Sequence, residues 1–198
     1  MKITLLIHMF CAVFAMEASA GDAYRDFKPP FYVFDDYQSP KNHGAPSGWM
    51  GDFRDLIMDA NCRENPHHGT TCIKITYLAK GSKCANWAGV MWQFPPNNWG
   101  EYDAGLNLTG AKKLTFWARG EEGGEVIDAF RFGGIGGAYP DSSTDGISNI
   151  TLNPEWTKYE IDLSGVDLHY MTGLFCWVAC RAANPDGFVI YLDDIRYE

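Results

Sequence analysis

The feature that most restricts the fold is a repeated two-residue alternation of apolar and polar side chains. It is broken into short runs by Gly, Pro and Asn, and no sustained 3.6-residue pattern competes with it. Nine runs predict strands: Phe31–Asp35, Thr71–Leu78, Ala88–Phe94, Lys113–Arg119, Val126–Phe132, Ile147–Leu152, Thr157–Leu163, Gly173–Ala179 and Gly187–Tyr197. Strands of this spacing, without repeats or linkers, predict an all-β, two-sheet β-sandwich. Residues 52–59 suit a short helical turn or an additional strand. Residues 95–112 and 133–146 are rich in Gly, Pro and Asn and read as loops.

Strand parity divides core from surface. Tyr159, Ile161 and Leu163 alternate with Lys158, Glu160 and Asp162, an apolar face against a solvated one. By the same rule Leu114, Phe116 and Ala118 point inward, leaving Trp117 and Arg119 outward. Phe130 and Phe132 leave Arg131 outward, Val90 and Trp92 leave Gln93 outward, and Leu174, Cys176 and Val178 leave Phe175 and Trp177 outward. Seven Trp and 15% aromatic residues exceed what a core of this size ordinarily needs. The expected result is one outer face combining Gln93, Trp117, Arg119, Arg131 and Trp177. Flat rings beside amide and guanidinium groups suit a pyranose, whose C–H face stacks while its hydroxyls donate and accept. The 95–100 loop offers Trp99 as a further stacking platform and Asn98 as a hydrogen-bonding group.

The N-terminus reads as an export signal. Lys2 precedes an apolar run from Ile3 to Met16, and Ala18-Ser19-Ala20 is a small-x-small cleavage pattern, so residues 1–20 are the expected signal peptide and 21–198 a single domain, secreted or periplasmic. The run is shorter than the roughly 20 residues a membrane span needs. Removing it takes one Lys and one Glu, so the net charge stays at -9, which disfavours nucleic acid and anionic membranes as partners. Five cysteines remain, in a compartment where disulfides persist. Cys62 and Cys72 flank a Pro66-His67-His68-Gly69 turn and suit a local bridge. Cys84–Cys180 is the favoured second pair, with Cys176 a buried thiol, though five cysteines leave the connectivity open.

Several strings resemble a known architecture. Phe31-Tyr32-Val33-Phe34-Asp35-Asp36 and Phe188-Val189-Ile190-Tyr191-Leu192-Asp193-Asp194-Ile195 resemble the terminal strands of galactose-binding-like β-jelly-roll carbohydrate-binding modules, such as those attached to endoglucanases. Lys113-Leu114-Thr115-Phe116-Trp117-Ala118-Arg119-Gly120 and Trp156-Thr157-Lys158-Tyr159-Glu160-Ile161-Asp162-Leu163 resemble internal strands of the same modules. The resemblance spans most of residues 21–198. It implies a galactose-binding-domain-like jelly roll, a polysaccharide or oligosaccharide as partner, and a structural Ca²⁺ tying the first strand to the last. That ion would fall on Asp35 or Asp36 and on Asp193 or Asp194, since Ca²⁺ gathers carboxylate and carbonyl oxygens. The resemblance specifies fold more strongly than ligand.

Catalysis finds little support. A glycosidase needs two carboxylates flanking the scissile bond. Here Glu121, Glu122 and Glu125 fall in a turn, and Asp128 shares the core parity of its strand. No nucleophile elbow, HExxH or phosphate loop occurs. The expectation is a non-catalytic secreted carbohydrate-binding module. The alternatives are a glycan-active jelly-roll hydrolase or lyase, and a secreted structural protein that buries the aromatic face in a partner. Asn107-Leu108-Thr109 and Asn149-Ile150-Thr151 match glycosylation sequons, which matter only in a eukaryotic host.

Overall fold

A computed structural model describes residues 27–198; the expected signal peptide and its cleavage point lie outside the described residues. Two antiparallel sheets pack face to face. One has the strand order β3 (Leu56–Cys62), β4 (Cys72–Tyr77), β11 (Phe188–Tyr197), β6 (Lys113–Gly120), β9 (Thr157–Asp162), with β1 (Phe31–Phe34) paired to the end of β11. The other runs β2 (Ala45–Gly51), β5 (Trp87–Gln93), β10 (Gly173–Cys180), β7 (Val126–Gly133), β8 (Thr144–Thr151). They are called here the β11 sheet and the β10 sheet.

All nine predicted runs are strands, and β2 and β3 are additional. β2 carries Pro46, Ser47 and Gly48, all poor strand formers. It is tolerated because it is an edge strand, with a register shift between Pro46 and Gly48. Residues 52–59 hold both options at once, a 3-10 turn at Phe53–Asp55 that leads straight into β3. β8 begins at Thr144, inside a segment that composition alone assigns to a loop.

The core lies between the sheets and is strongly aromatic. Phe116 meets Phe130 at 4.7 Å and Phe175 at 5.0 Å between ring centroids, and Trp92 stands edge-on to Phe175 at 5.6 Å. Edge and tilted arrangements of this kind add to simple area burial. The phenol of Tyr197 in β11 donates to the Leu174 carbonyl of β10 at 2.6 Å, a buried hydrogen bond from sheet to sheet. Much of the aromatic excess is therefore spent inside.

Parity holds in β5, β6 and β9 but is inverted in β10. Phe175 and Trp177 are fully buried in the main core, whereas Cys176 and Val178 belong to a separate cluster with Met91, Ile135 and Met50 on the outer side. A register shift between Gly173 and Phe175 moves every later side chain to the opposite face. Both readings of that strand are apolar, so hydrophobicity could not decide between them.

Candidate functional site

The expected single face does not form; its residues are distributed over three places. Gln93 and Arg131 lie on the outer side of the β10 sheet, Trp117 and Arg119 on the outer side of the β11 sheet, and Trp177 in the core between them.

On the β10 sheet, Gln93 and Asn98 are fully buried and build a loop. Gln93 accepts from the Ser47 hydroxyl at 2.7 Å and donates to the Asn98 carbonyl at 2.9 Å. The Asn98 side-chain oxygen accepts from the backbone N–H of Gly100, Glu101 and Tyr102 at 3.0–3.2 Å. These bonds satisfy the backbone of a tight loop that no strand pairs with. The loop presents Trp99 and Tyr102, which are 41% and 59% exposed. The Trp99 indole rests on the bare backbone of Gly48: a Cβ there would approach the ring to 3.2 Å and the Met91 Cβ to 2.9 Å. Gly100 also accepts from the N–H of Tyr139 at 3.0 Å, joining this loop to the 133–143 segment, where Tyr139 is 39% exposed. That second loop is held by Asp141, which accepts from the N–H of Ile135, Thr172 and Gly173. Burial pushes the Asp141 carboxyl up despite these donors.

Arg131 stands beside these loops, exposed, its guanidinium donating to the Thr144 hydroxyl at 3.1 Å. Among the described residues no carboxylate lies within ion-pair distance of it. It lines a cleft of about 220 Å³ with Ala129, Thr144, Asp145, Gly146 and Ser148. Three exposed rings on interlocked loops, next to a guanidinium that has no carboxylate partner among the described residues, can stack on an apolar ligand face and bind its hydroxyls. Tyr102 and Tyr139 escaped the sequence reading because lone tyrosines in Gly-rich loops carry no periodic signal.

Part of the outer face of the β11 sheet is covered. Residues 63–71 cross its outer face as a strap. The His67 ring stacks on Trp117 at 3.7 Å and stands edge-on to Trp156 at 6.0 Å. The Trp156 indole donates to the Asn65 carbonyl at 2.8 Å. Arg119 is buried, its guanidinium 3.6 Å from the centroid of the Tyr191 ring and 5.5 Å from that of Trp156. Tyr191 in turn hydrogen-bonds Glu64 and Glu121 at 2.9 and 2.6 Å. Burial holds His67 below the ordinary imidazole range. Trp117 and Arg119 thus meet the strap and their neighbours.

The four aspartates assigned to Ca²⁺ do lie where the first and last strands meet, but as placed they do not fit a cation. Asp36 accepts from the N–H of Thr70 and Thr71 at 2.9 and 2.7 Å. Burial alone would raise its carboxyl, yet these donors and the threonine hydroxyls hold it below the ordinary range. Asp193 accepts from the N–H of His67 and His68 at 2.9 and 3.1 Å. Asp35 is paired with Lys41 at 3.1 Å and Asp194 with Arg196 at 3.0 Å. Strap N–H groups and two cations occupy the carboxylates. Among the described residues no three His, Cys, Asp or Glu side chains are grouped to hold a metal.

None of the five cysteines from Cys62 onward is joined to another in this structure. Cys62 and Cys72 are buried and directly opposed across β3 and β4. Cys84 is exposed and Cys180 half-buried, with Cys180 opposite Trp87 in β5. Cys176 is buried beside Arg131, and burial pushes its thiol up to about 12.

Among solved structures, a family 11 carbohydrate-binding module from Clostridium thermocellum superposes with a TM-score of 0.50, at 13% identity, over 82% of this chain and 92% of that one. The fold is that of the carbohydrate-binding jelly rolls. A family 30 module of a Clostridium thermocellum cellulosomal cellulase gives a TM-score of 0.45 at 18% identity, covering 88% of this chain and 95% of the module. A family 29 module gives 0.48 at 11%, covering 83% and 84%. No family profile matches the chain, and no curated protein matches it in sequence.

Proposed function

We propose that the chain is an exported, non-catalytic glycan-binding module, whose ligand docks on the loop-bearing outer face of the β10 sheet. The observation that carries this is the set of Trp99, Tyr102 and Tyr139 on interlocked loops beside Arg131. Exposed rings held by buried Gln93 and Asn98 are fixed before the ligand arrives, so little ordering cost falls on binding. Trp99 is the stacking platform and Arg131 the hydroxyl reader, joined by Tyr102 and Tyr139. Trp117, Arg119 and Trp177 leave the binding set. Export places the module among extracellular glycans and in a compartment that oxidises paired thiols.

The family 11 module was solved with a β-1,3-1,4-mixed-linked tetrasaccharide, which makes mixed-linkage β-glucan a reasonable first probe. In affinity electrophoresis against a polysaccharide panel that includes it, the protein should be retarded by at least one glycan. Trp99→Ala should weaken binding roughly tenfold or more, as expected of an anchor ring. Trp117→Ala should leave binding intact. Retardation lost with Trp117→Ala and kept with Trp99→Ala would move the site to the other sheet, and no retardation on any glycan would end the proposal.

A further inference from the structure

The strap over the β11 sheet starts immediately after Cys62 and ends immediately before Cys72, and those two residues are direct Cα partners across β3 and β4. Opposed residues of antiparallel strands lie roughly 4.5–5.5 Å apart at Cα, inside the roughly 4.4–6.8 Å that disulfides span. Both side chains are buried together against Tyr191, with Trp156 and Val189 packed beside them. The pairing is of the kind a disulfide can bridge.

The strap itself has a great deal to hold. Besides the His67–Trp117 stack, its backbone supplies the donors for Asp193 and for Asp36. Its Thr71 hydroxyl accepts from the N–H of Tyr37 at 2.8 Å. Glu64 pairs with Lys74 at 2.6 Å. At Gly69, where φ is +63°, a Cβ would fall 2.1 Å from the Asp36 carboxylate, so the chain must pass this close to β1 to make those bonds. All of these contacts fall within the nine residues between Cys62 and Cys72, except the Lys74 partner of Glu64 and the groups the strap rests on.

We infer that Cys62 and Cys72 form a disulfide, and that this bond is the latch that keeps the strap seated on the outer face of the β11 sheet. The reaction is thiol–disulfide exchange with a disulfide-bearing oxidant. The Cys62 and Cys72 sulfurs lose one proton each and join, while the oxidant's disulfide takes up the two electrons and two protons and leaves as two thiols. The closed loop is short, and its main effect is to remove open-strap conformations from the ensemble.

The test uses the purified full chain in glutathione redox buffers, so its outcome does not depend on whether the glycan or export readings hold. After quenching with iodoacetamide, peptide mass mapping should find Cys62 linked to Cys72, with neither alkylated. Trypsin cleavage after the exposed Arg63 should then run several-fold slower in oxidised than in reduced protein, measured against cleavage after the exposed Lys80 as an internal reference. The Cys62→Ser/Cys72→Ser variant should behave like reduced protein in either buffer. Alkylation of both cysteines in the most oxidising buffer would overturn the disulfide, as would linkage of either to another cysteine. Equal cleavage after Arg63 in linked and reduced protein would overturn the latch.

Discussion

Replacing Asp193 by Asn should change how stability depends on pH, and the sign of the change carries the argument. Asp193 is fully buried at a register shift in β11. One oxygen accepts from the N–H of His67 and His68, and the other from the N–H of Asp194. Burial outweighs these donors and raises the carboxyl from 3.8 to about 6. A folded-state value above the unfolded one means stability is fully present below the unfolded value and is lost as pH rises through the folded value. The gap corresponds to about 3 kcal/mol, lost between about pH 4 and pH 6. Asn keeps the shape and cannot ionise. Urea unfolding of both proteins from pH 4 to pH 7.5 should therefore show the wild type losing about that much relative to Asp193→Asn as pH rises. The difference between the two curves removes the contributions of other titrating groups such as His67 and Asp36. A flat difference would refute the burial argument. A wild type that gains on the variant with rising pH would show the carboxylate favoured when ionised, as a bound cation would make it.

Trp177→Ala should act on stability through the core, with an urea-derived loss of about 3–5 kcal/mol; loss of glycan binding at unchanged stability would contradict its placement. Gly69→Ala meets both a left-handed backbone and the Asp36 carboxylate, so a thermal melt should show a drop of several degrees, equivalent to roughly 1–3 kcal/mol, and an unchanged midpoint would mean the strap does not pack as described. A chelator should leave the melting temperature unchanged, because the carboxylates at the junction of first and last strands already have donors; a clear fall would show that a bound cation stabilises the fold and would overturn that reasoning.

The fold was legible because alternation is written residue by residue, and Lys158 to Leu163 needs no tertiary information to be read. β10 defeated the same rule, since Leu174-Phe175-Cys176-Trp177-Val178 is apolar on both parities and only the shift after Gly173 chooses a face. The site was legible in part. Trp99 and Arg131 were named from chemistry and stand on the proposed face, whereas Gln93 and Asn98 turned out to be the loop's internal scaffold. Trp117 and Arg119 do point outward as parity requires. Parity, however, says nothing of a loop distant in sequence, and the strap fills the space that a ligand was expected to fill. The aspartate pairs lie at the junction the sequence pointed to, where they gather backbone N–H; in sequence, acidic side chains that do this look like acidic side chains that gather a cation.

The position of β11 has a consequence for the order of assembly. This strand is the last described in the chain, yet it lies in the interior of its sheet, hydrogen-bonded to β4 on one edge, β6 on the other, and β1 near its end. Until residues 188–197 have been synthesised, β4 and β6 have no partner between them, and the Tyr197 bond across to β10 cannot form. A nascent chain of this topology can collapse early but cannot close its sandwich. Its decisive pairings are the most distant in sequence, the kind that form slowly. If the chain is exported as proposed, a translocation machinery that threads unfolded polypeptide would meet it before the final strand has locked.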